Sequence, residues 1–303
     1  MEFEQYAELE NLASAPEMLD QTISYVAENM SGFVRERDHV LICFPRGNDD
    51  SIGCIFEQAV LRLSGIPLFW APDHKWKTLL RQCFASRATV IIGPPLAILG
   101  LSKLAKATGT PLYIRYVVTT GYPCLDWMID GIIRGLDCKT WGCFGPGTGA
   151  LVSGFSCGKS RGVHIREDAY DVQILDDQGS PVADGQSGMI SIASREKSDH
   201  RVYLRDHGRI DRSPCSCGKT TPRLMDIHPA QRFQDDVLSL YQQFHAWTSI
   251  LDCRVVKGAY GLELELVVFP GEKLPKLPSC AKQVIRAWDP DRDAPMDLQP
   301  KWK

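Results

Sequence analysis

The sequence has no long apolar run: nowhere does it reach the roughly 18 uninterrupted apolar residues that a membrane-spanning helix requires. It has no basic excess either, with 34 Lys and Arg against 37 Asp and Glu and a formal net charge of −3. Nucleic-acid binding shows as clustered basic residues and a basic isoelectric point, so this balance argues against nucleic acid as a partner. The first residues, Met1-Glu2-Phe3-Glu4-Gln5, are acidic, whereas a secretory leader opens basic and turns apolar. Together these features predict a cytoplasmic protein with no membrane partner. No internal repeat and no low-complexity segment is present.

Cysteine is abundant, at eleven residues. An odd count in a chain of 303 residues with no leader does not suit a disulfide framework. Cys43 and Cys54 lie inside apolar runs and read as buried small hydrophobes. Others fall in Gly/Ser/Pro-rich loops, where packing gives no reason for them.

From residue 15 to residue 144 the hydrophobic period switches repeatedly. Pro16 can open a helix because its missing N–H costs nothing there, and Leu19, Ile23, Val26 and Met30 then share one helical face. Short apolar runs at 40–44, 67–70, 89–92, 112–118 and 139–144 read as strands, and the segments 55–63, 77–84, 97–107 and 128–134 between them read as helices. Strands alternating with helices of about ten residues predict an α/β fold, a parallel sheet flanked by helices. Ligands on such a sheet gather at the carboxyl ends of the strands, here in loops 45–50, 93–95, 119–123 and 145–149. After residue 150 the stretches 163–165, 170–175 and 188–192 alternate with period two, separated by Asp177-Gln178-Gly179 and Asp184-Gly185-Gln186, which is turn chemistry. This predicts an antiparallel β region. A small α+β C-terminal module follows, with a helix at 237–245 and strands at 251–256 and 262–269, ending in an irregular Pro/Asp-rich tail from Asp289. The expected division is 1–150, 151–225 and 226–303.

The segments Gly162-Val163-His164-Ile165-Arg166-Glu167-Asp168, Tyr170 to Leu175, Pro181-Val182-Ala183-Asp184-Gly185-Gln186-Ser187-Gly188 and Pro214-Cys215-Ser216-Cys217-Gly218-Lys219-Thr220-Thr221-Pro222-Arg223-Leu224 share order and spacing with a known family. In these segments the chain is similar to the phenylacetate–CoA ligase branch of the adenylate-forming (AMP-binding) enzymes. The resemblance runs over roughly residues 15–270 and is strongest over 139–225. It implies ATP or AMP and CoA as cofactors, and an aryl or acyl acid or its thioester as the small-molecule partner. It also implies nucleotide-binding roles for Phe144, Gly145 and Thr148, which stand where the family has Tyr-Gly-x-Ser/Thr-Glu, and for Asp206, which matches the ribose-binding Asp.

The departures from the family bear on one reaction. The family cradles ATP phosphates in a Ser/Thr/Gly-rich loop, because backbone N–H groups must approach the oxygens without Cβ obstruction. That place holds Glu10-Asn11-Leu12-Ala13-Ser14-Ala15-Pro16, without glycine, so the chain reads as shortened just past the loop. Phe144-Gly145-Pro146-Gly147-Thr148 brings no carboxylate for magnesium. The hinge ahead of the C-terminal module reads as deleted, and only Lys301 and Lys303 in the tail stand as candidates for the family's catalytic lysine. Adenylation needs amides, metal and lysine positioned together. The expectation is therefore a ligase-like protein that has lost self-sufficient adenylation and keeps a pocket for an acid, adenylate or thioester, or serves a protein partner. An active AMP-forming ligase and a zinc-stabilised scaffold are the alternatives, and no catalytic residue is assigned.

Cys157, His164, Cys215 and Cys217 form the best metal constellation. One Cys/His element and one Cys/Cys element suit a tetrahedral Zn²⁺ with thiolate and imidazole donors, and the resemblance implies a structural zinc with this ligand pattern. Free turn cysteines and an ordinary strand histidine are the alternative. Gly145-Pro146-Gly147-Thr148-Gly149-Ala150 satisfies the G-x-G-x-x-G/A fingerprint, but no helix pattern follows it, so it reads as a loop at the sheet edge. His200 and His207 flank Asp206 with no nucleophile beside them and read as solvated surface. Asp289, Asp291 and Asp293 are spaced like calcium ligands without the following Gly and Glu, and read as a solvated tail.

Overall fold

The computed structural model describes residues 13, 15–70, 75–145, 151–196, 201–229, 235–258, 261–271, 273–274, 276–277 and 282–295. The first half alternates α1 (Pro16–Met30), β1 (His39–Ile42), α2 (Ile52–Arg62), β2 (Ile66–Phe69), α3 (Trp76–Ala85), β3 (Val90–Gly93), α4 (Pro95–Thr108), β4 (Tyr116–Thr119), α5 (Asp126–Leu136) and β5 (Lys139–Phe144). Helix starts follow local chemistry. Pro16 and Pro95 occupy the first turns of α1 and α4, and the Ser51 hydroxyl accepts the Cys54 N–H to cap α2.

The strands of this half pair in the order β2-β1-β3-β4-β5, all parallel. Their apolar runs are continuous because both faces are covered. Val40, Ile42, Val90, Ile92 and Val118 point into a core shared with α1 and α2. Leu41, Cys43, Ile91 and Val117, one residue out of phase, point into a second core with α3, α4 and α5. Cys43 and Cys54 are buried, as their apolar settings predict.

At β5 the sheet changes sense without breaking. β5 is parallel to β4 on one side and antiparallel to β6 (Gly154–Phe155) on the other. From there the order is β6, β7 (Val163–Ile165), β11 (Arg223–Pro229), β10 (Arg201–Asp211), β9 (Gly188–Ser194) and β8 (Tyr170–Leu175), every neighbour antiparallel. The eleven strands thus form one mixed sheet. Its antiparallel half shares the first core through Phe155, Ile165, Tyr170, Ile190 and Ile210. The C-terminal module has α6 (Asp235–Ala246) packed on a three-stranded sheet, β12 (Ile250–Gly258), β13 (Gly261–Val268) and β14 (Lys282–Ala287).

The structure adds strands that the hydrophobic pattern does not show. β10 is interrupted by a register shift between Tyr203 and His207, and β11 by Asp226 at φ 52°. Both breaks scramble a period-two signal. The strand expected from residue 112 begins only at Tyr116, after Pro111. The described part of the tail, residues 289–295, is also more ordered than its composition suggests. Asp293 is buried and accepts the Asp289 N–H and the Arg286 guanidinium, while the Asp293 carbonyl accepts the Trp76 N–H at the start of α3. Lys75 and Lys77 bind Asp291. Asp293 is thus built into the packing rather than solvated, while Asp289 and Asp291 remain at the surface, where they pair with Arg292 and Lys77. No helix among the described residues is long and apolar enough to cross a membrane.

Candidate metal centre and neighbouring cavity

Two loops meet where the parallel and antiparallel halves join. The β6–β7 loop carries Cys157 at its start, and His164 follows within β7. This loop lies tight against its surroundings. Gly158 and Gly162 have φ of +66° and +83°, and a Cβ on either would fall 2.6 Å from the Trp141 indole and 2.3 Å from Met225 Sδ respectively. The β10–β11 connection carries Cys215 and Cys217 in a turn closed by the Gly218 N–H donating to the Cys215 carbonyl. At its base the buried Arg223 donates to Asp211 Oδ2 at 2.6 Å and to Ser213 Oγ at 2.9 Å. Because Arg223 pairs with His164 across β11 and β7, strand register alone brings the two loops together.

The four donor atoms all lie within 4.8 Å of one another. Cys157 Sγ is 3.7 Å from Cys215 Sγ, and Cys217 Sγ is 3.3 Å from His164 Nε2. A disulfide needs about 2.05 Å, so these are not bonded pairs. Tetrahedral Zn²⁺, with Zn–S about 2.3 Å and Zn–N about 2.0 Å, separates sulfurs by about 3.8 Å and sulfur from nitrogen by about 3.5 Å. The cluster therefore has the donor set and spacing that such an ion fits.

The surroundings orient the donors. His164 is 2% exposed, and its Nδ1 lies 3.0 Å from the Thr221 carbonyl and 3.1 Å from Thr221 Oγ1. An Nδ1–H donated to that carbonyl leaves the Nε2 lone pair facing the sulfurs, the outer-shell arrangement that metal-binding imidazoles favour. Ser160 Oγ lies within hydrogen-bond distance of Cys215 Sγ, at 3.0 Å, and the Lys219 N–H donates to Cys217 Sγ at 3.4 Å. The Ser160 hydroxyl, with the Cys217 amide, holds the Cys215 thiol down to about 5. Burial pushes the Cys217 thiol up.

Beside this cluster a cavity of about 560 Å³ opens at the ends of β4 and β5, between the β4–α5 and β6–β7 loops. Its walls include Thr119, Tyr122, Trp141 and Phe144, with Lys159 from the β6–β7 loop and His228 from β11. It thus lies at one of the four strand-end loops where the parallel sheet predicts a ligand, that of residues 119–123. Phe144 is part of this wall. Gly145 follows it at a point where a Cβ would fall 1.7 Å from the Leu151 carbonyl, so only glycine fits there. Asp206 lies on β10 opposite Pro229 and does not line the cavity, and Thr148 falls outside the described residues. The Asp206 carboxyl is pushed up to about 6 by burial, an effect that neighbouring His228 partly offsets. His207 is half-buried rather than solvated. Its ring meets His228 at 5.9 Å, and burial followed by His228 lowers its proton affinity. His200 lies outside the described residues. His228 is the residue that sequence patterning misses: it sits in a strand the pattern does not reveal, and only pairing with β10 brings it to Asp206 and His207.

No protein-family model matches the sequence, and a search of curated proteins finds no match. Solved structures do match in fold. One of 2-hydroxyisobutyryl-CoA ligase, in the postadenylation state with R3-HIB-AMP, has a TM-score of 0.67 at 16% identity over 82% of this chain, which spans 58% of that ligase. The same ligase with 2-HIB-AMP in the postadenylation state gives 0.69 at 15% identity, over 92% of this chain and 68% of the ligase. A benzoate CoA ligase from Burkholderia xenovorans gives 0.56 at 14% identity, over 93% of this chain and 64% of the ligase. At low sequence identity, the fold of this chain is that of the adenylate-forming CoA ligases.

Proposed function

We infer that this protein is a ligase-like binder of an adenosine nucleotide or acyl/aryl adenylate that has lost self-sufficient adenylation. The observation carrying the reading is the cavity over the ends of β4 and β5, walled by Phe144 and Trp141 and bordered by Lys159 and His228. Flat aromatic walls suit a base or an aryl acid, and the Lys159 ammonium and an imidazole N–H at the edge suit its phosphate or carboxylate. Several fold neighbours are described with acyl or aryl adenylates, and 2-hydroxyisobutyryl-CoA ligase with CoA as well, which supports the same ligand class here. Phe144 and Gly145 would border the nucleotide. Asp206 would act from behind His228.

Turnover requires more than a cavity. Phosphoryl-type transfers depend on charge neutralisation positioned in advance. The segment Phe144-Gly145-Pro146-Gly147-Thr148 offers no carboxylate to hold a magnesium ion. Among the described residues, none of α6 or β12–β14 lines the cavity. Cys157, His164, Cys215 and Cys217 would hold a zinc ion with all four positions filled by protein. When bound it would act as a structural clamp on the two loops, without an open position for substrate.

Calorimetry and thermal shift with AMP, aryl acids and CoA, alongside ATP–pyrophosphate exchange, test the reading. Binding of AMP or an acid that raises the melting temperature, with exchange at background, is the expected result. Exchange well above background would instead establish an active AMP-forming acid–CoA ligase, the second reading, which the adenylate and CoA complexes of the neighbours favour. No binding by any of the three ligands would leave a zinc-stabilised scaffold.

A further inference from the structure

The C-terminal module and the α/β body share one core. Leu251 of β12, Val267 of β13 and Phe269 pack in the same buried cluster as Trp76, Ile98, Leu99 and Leu101 of α3 and α4. Trp127 of α5 packs against both that cluster and the module's own core of Tyr241, Phe244, Ile250 and Leu264. Polar contacts reinforce the joint. Lys103 Nζ of α4 donates to the Ile250 carbonyl at 2.9 Å, and the tail beyond β14 is bonded to α3 through Asp291 and Asp293. An element joined this way cannot turn away without exposing large apolar side chains on both partners.

At the centre of this joint lies His245, near the end of α6. Its ring stacks between Trp127 of α5, at 5.7 Å, and Tyr241 of its own helix, at 6.2 Å. It is buried, and among the described residues neither ring nitrogen has a hydrogen-bond partner. It is not a relay member, since it makes no hydrogen bond to Ser249 or Asp252 nearby in sequence. The titratable and charged groups around it are Tyr241 on α6, Lys103 on α4, and Asp252 and Cys253 of β12, which face Lys103; α5 presents the uncharged Trp127. A neutral imidazole is tolerated between two aromatic faces, but an imidazolium with no acceptor and a lysine ammonium beside it is not.

We propose that the C-terminal module is fixed to the α/β body as a built-in part of its core at neutral pH, and that protonation of His245 is the latch that releases it. Burial, followed by the charge on Lys103, keeps the ring unprotonated well below the usual histidine range while the joint is closed. An open joint restores ordinary titration near 6.5, so acid favours opening. Between pH 7.5 and 5.5 the open population rises by about tenfold.

Hydrogen exchange by mass spectrometry on the full chain, corrected for intrinsic rates, tests this. At pH 7.5 the peptides of α6 and β12–β13 are expected to be as protected as those of α4. At pH 5.5 they exchange about tenfold faster relative to α4. His245→Phe keeps the stack and removes the titration, so the rise disappears. Should that variant not fold, His245→Leu, apolar and of similar size, removes the titration in the same way. A module that exchanges tenfold or more faster than α4 at pH 7.5 overturns the fixed joint. An acid response unchanged in His245→Phe, or in His245→Leu, overturns the latch.

Discussion

Individual side chains differ in how far the sequence betrays them. Cys157, His164, Cys215 and Cys217 are legible because a Cys/His and a Cys/Cys element are short and close-spaced and match the ligand pattern that the family resemblance implies, and the fold brings all four within 4.8 Å. Phe144 is legible for a different reason, as the last residue of a strand in a parallel sheet. His228 and His245 are not. Their significance comes from partners far along the chain, Asp206 and His207 for one and Trp127 and Lys103 for the other, and no local pattern encodes such pairings. The prediction at this scale concerns the metal. Elemental analysis of purified protein should give one zinc per chain. Cys215→Ser should abolish it and lower stability by more than the ~1 kcal/mol of an ordinary substitution, because metal binding is also folding free energy. Ser216→Ala, between the two thiols, should leave zinc content unchanged. If Cys215→Ser retained full zinc, the four-donor site would be wrong.

Elements were easiest to read where both sheet faces are covered by helices. β1, β3 and β4 carry apolar runs, and α3 buries Trp76, Leu79, Leu80 and Cys83 at helical spacing, while α4 is buried nearly all round. The antiparallel half is harder because its strands are short, bulged or charged. β6 has only two residues, and β10 carries Arg201, Asp206, His207, Arg209 and Asp211 along a single strand. Such strands are held by register and by the loops at their ends more than by pattern. The β6–β7 loop is the clearest example. Gly162 has φ +83°, and a Cβ there would press on Met225 Sδ and, at 2.8 Å, on the Leu224 carbonyl of β11. Gly162→Ala is therefore expected to destabilise the protein by about 1–3 kcal/mol, since it adds backbone strain to a contact with rigid main chain. It should also weaken zinc retention, because the loop it shifts positions Cys157 and His164. Gly179, at φ +79° with open space around it, is the comparison: Gly179→Ala carries the strain without the clash and should cost less, with zinc retained. Equal losses in both variants, by chemical denaturation and metal analysis, would remove packing from the explanation.

For the molecule as a whole, the question is how three regions become one body. The mixed sheet joins the first two, and the shared apolar cluster joins the C-terminal module to them. Lys103 measures the strength of the second joint. Its amine is buried beneath β12, and burial pulls it down to about 8 against the partial support of Cys253 and Asp252. The native state therefore binds fewer protons than the unfolded chain between pH 8 and 10.5. By linkage, the Lys103 contribution must become more favourable as pH rises through that window, by up to about 3 kcal/mol. Other groups act in the opposite sense. The buried thiols of Cys43, Cys83 and Cys143 and the hydroxyls of Tyr25 and Tyr170 hold their protons more tightly when folded, so they weaken the native state as pH climbs above 9. The net curve can thus fall while the lysine's share rises. The informative quantity is the difference between wild type and Lys103→Met, in which those other groups cancel. Denaturant unfolding at pH 7.5, 8.5 and 9.5 should show that difference moving steadily in favour of the wild type. A difference independent of pH would mean that water reaches the amine, and that the module rests on the body with an open seam instead of a continuous core.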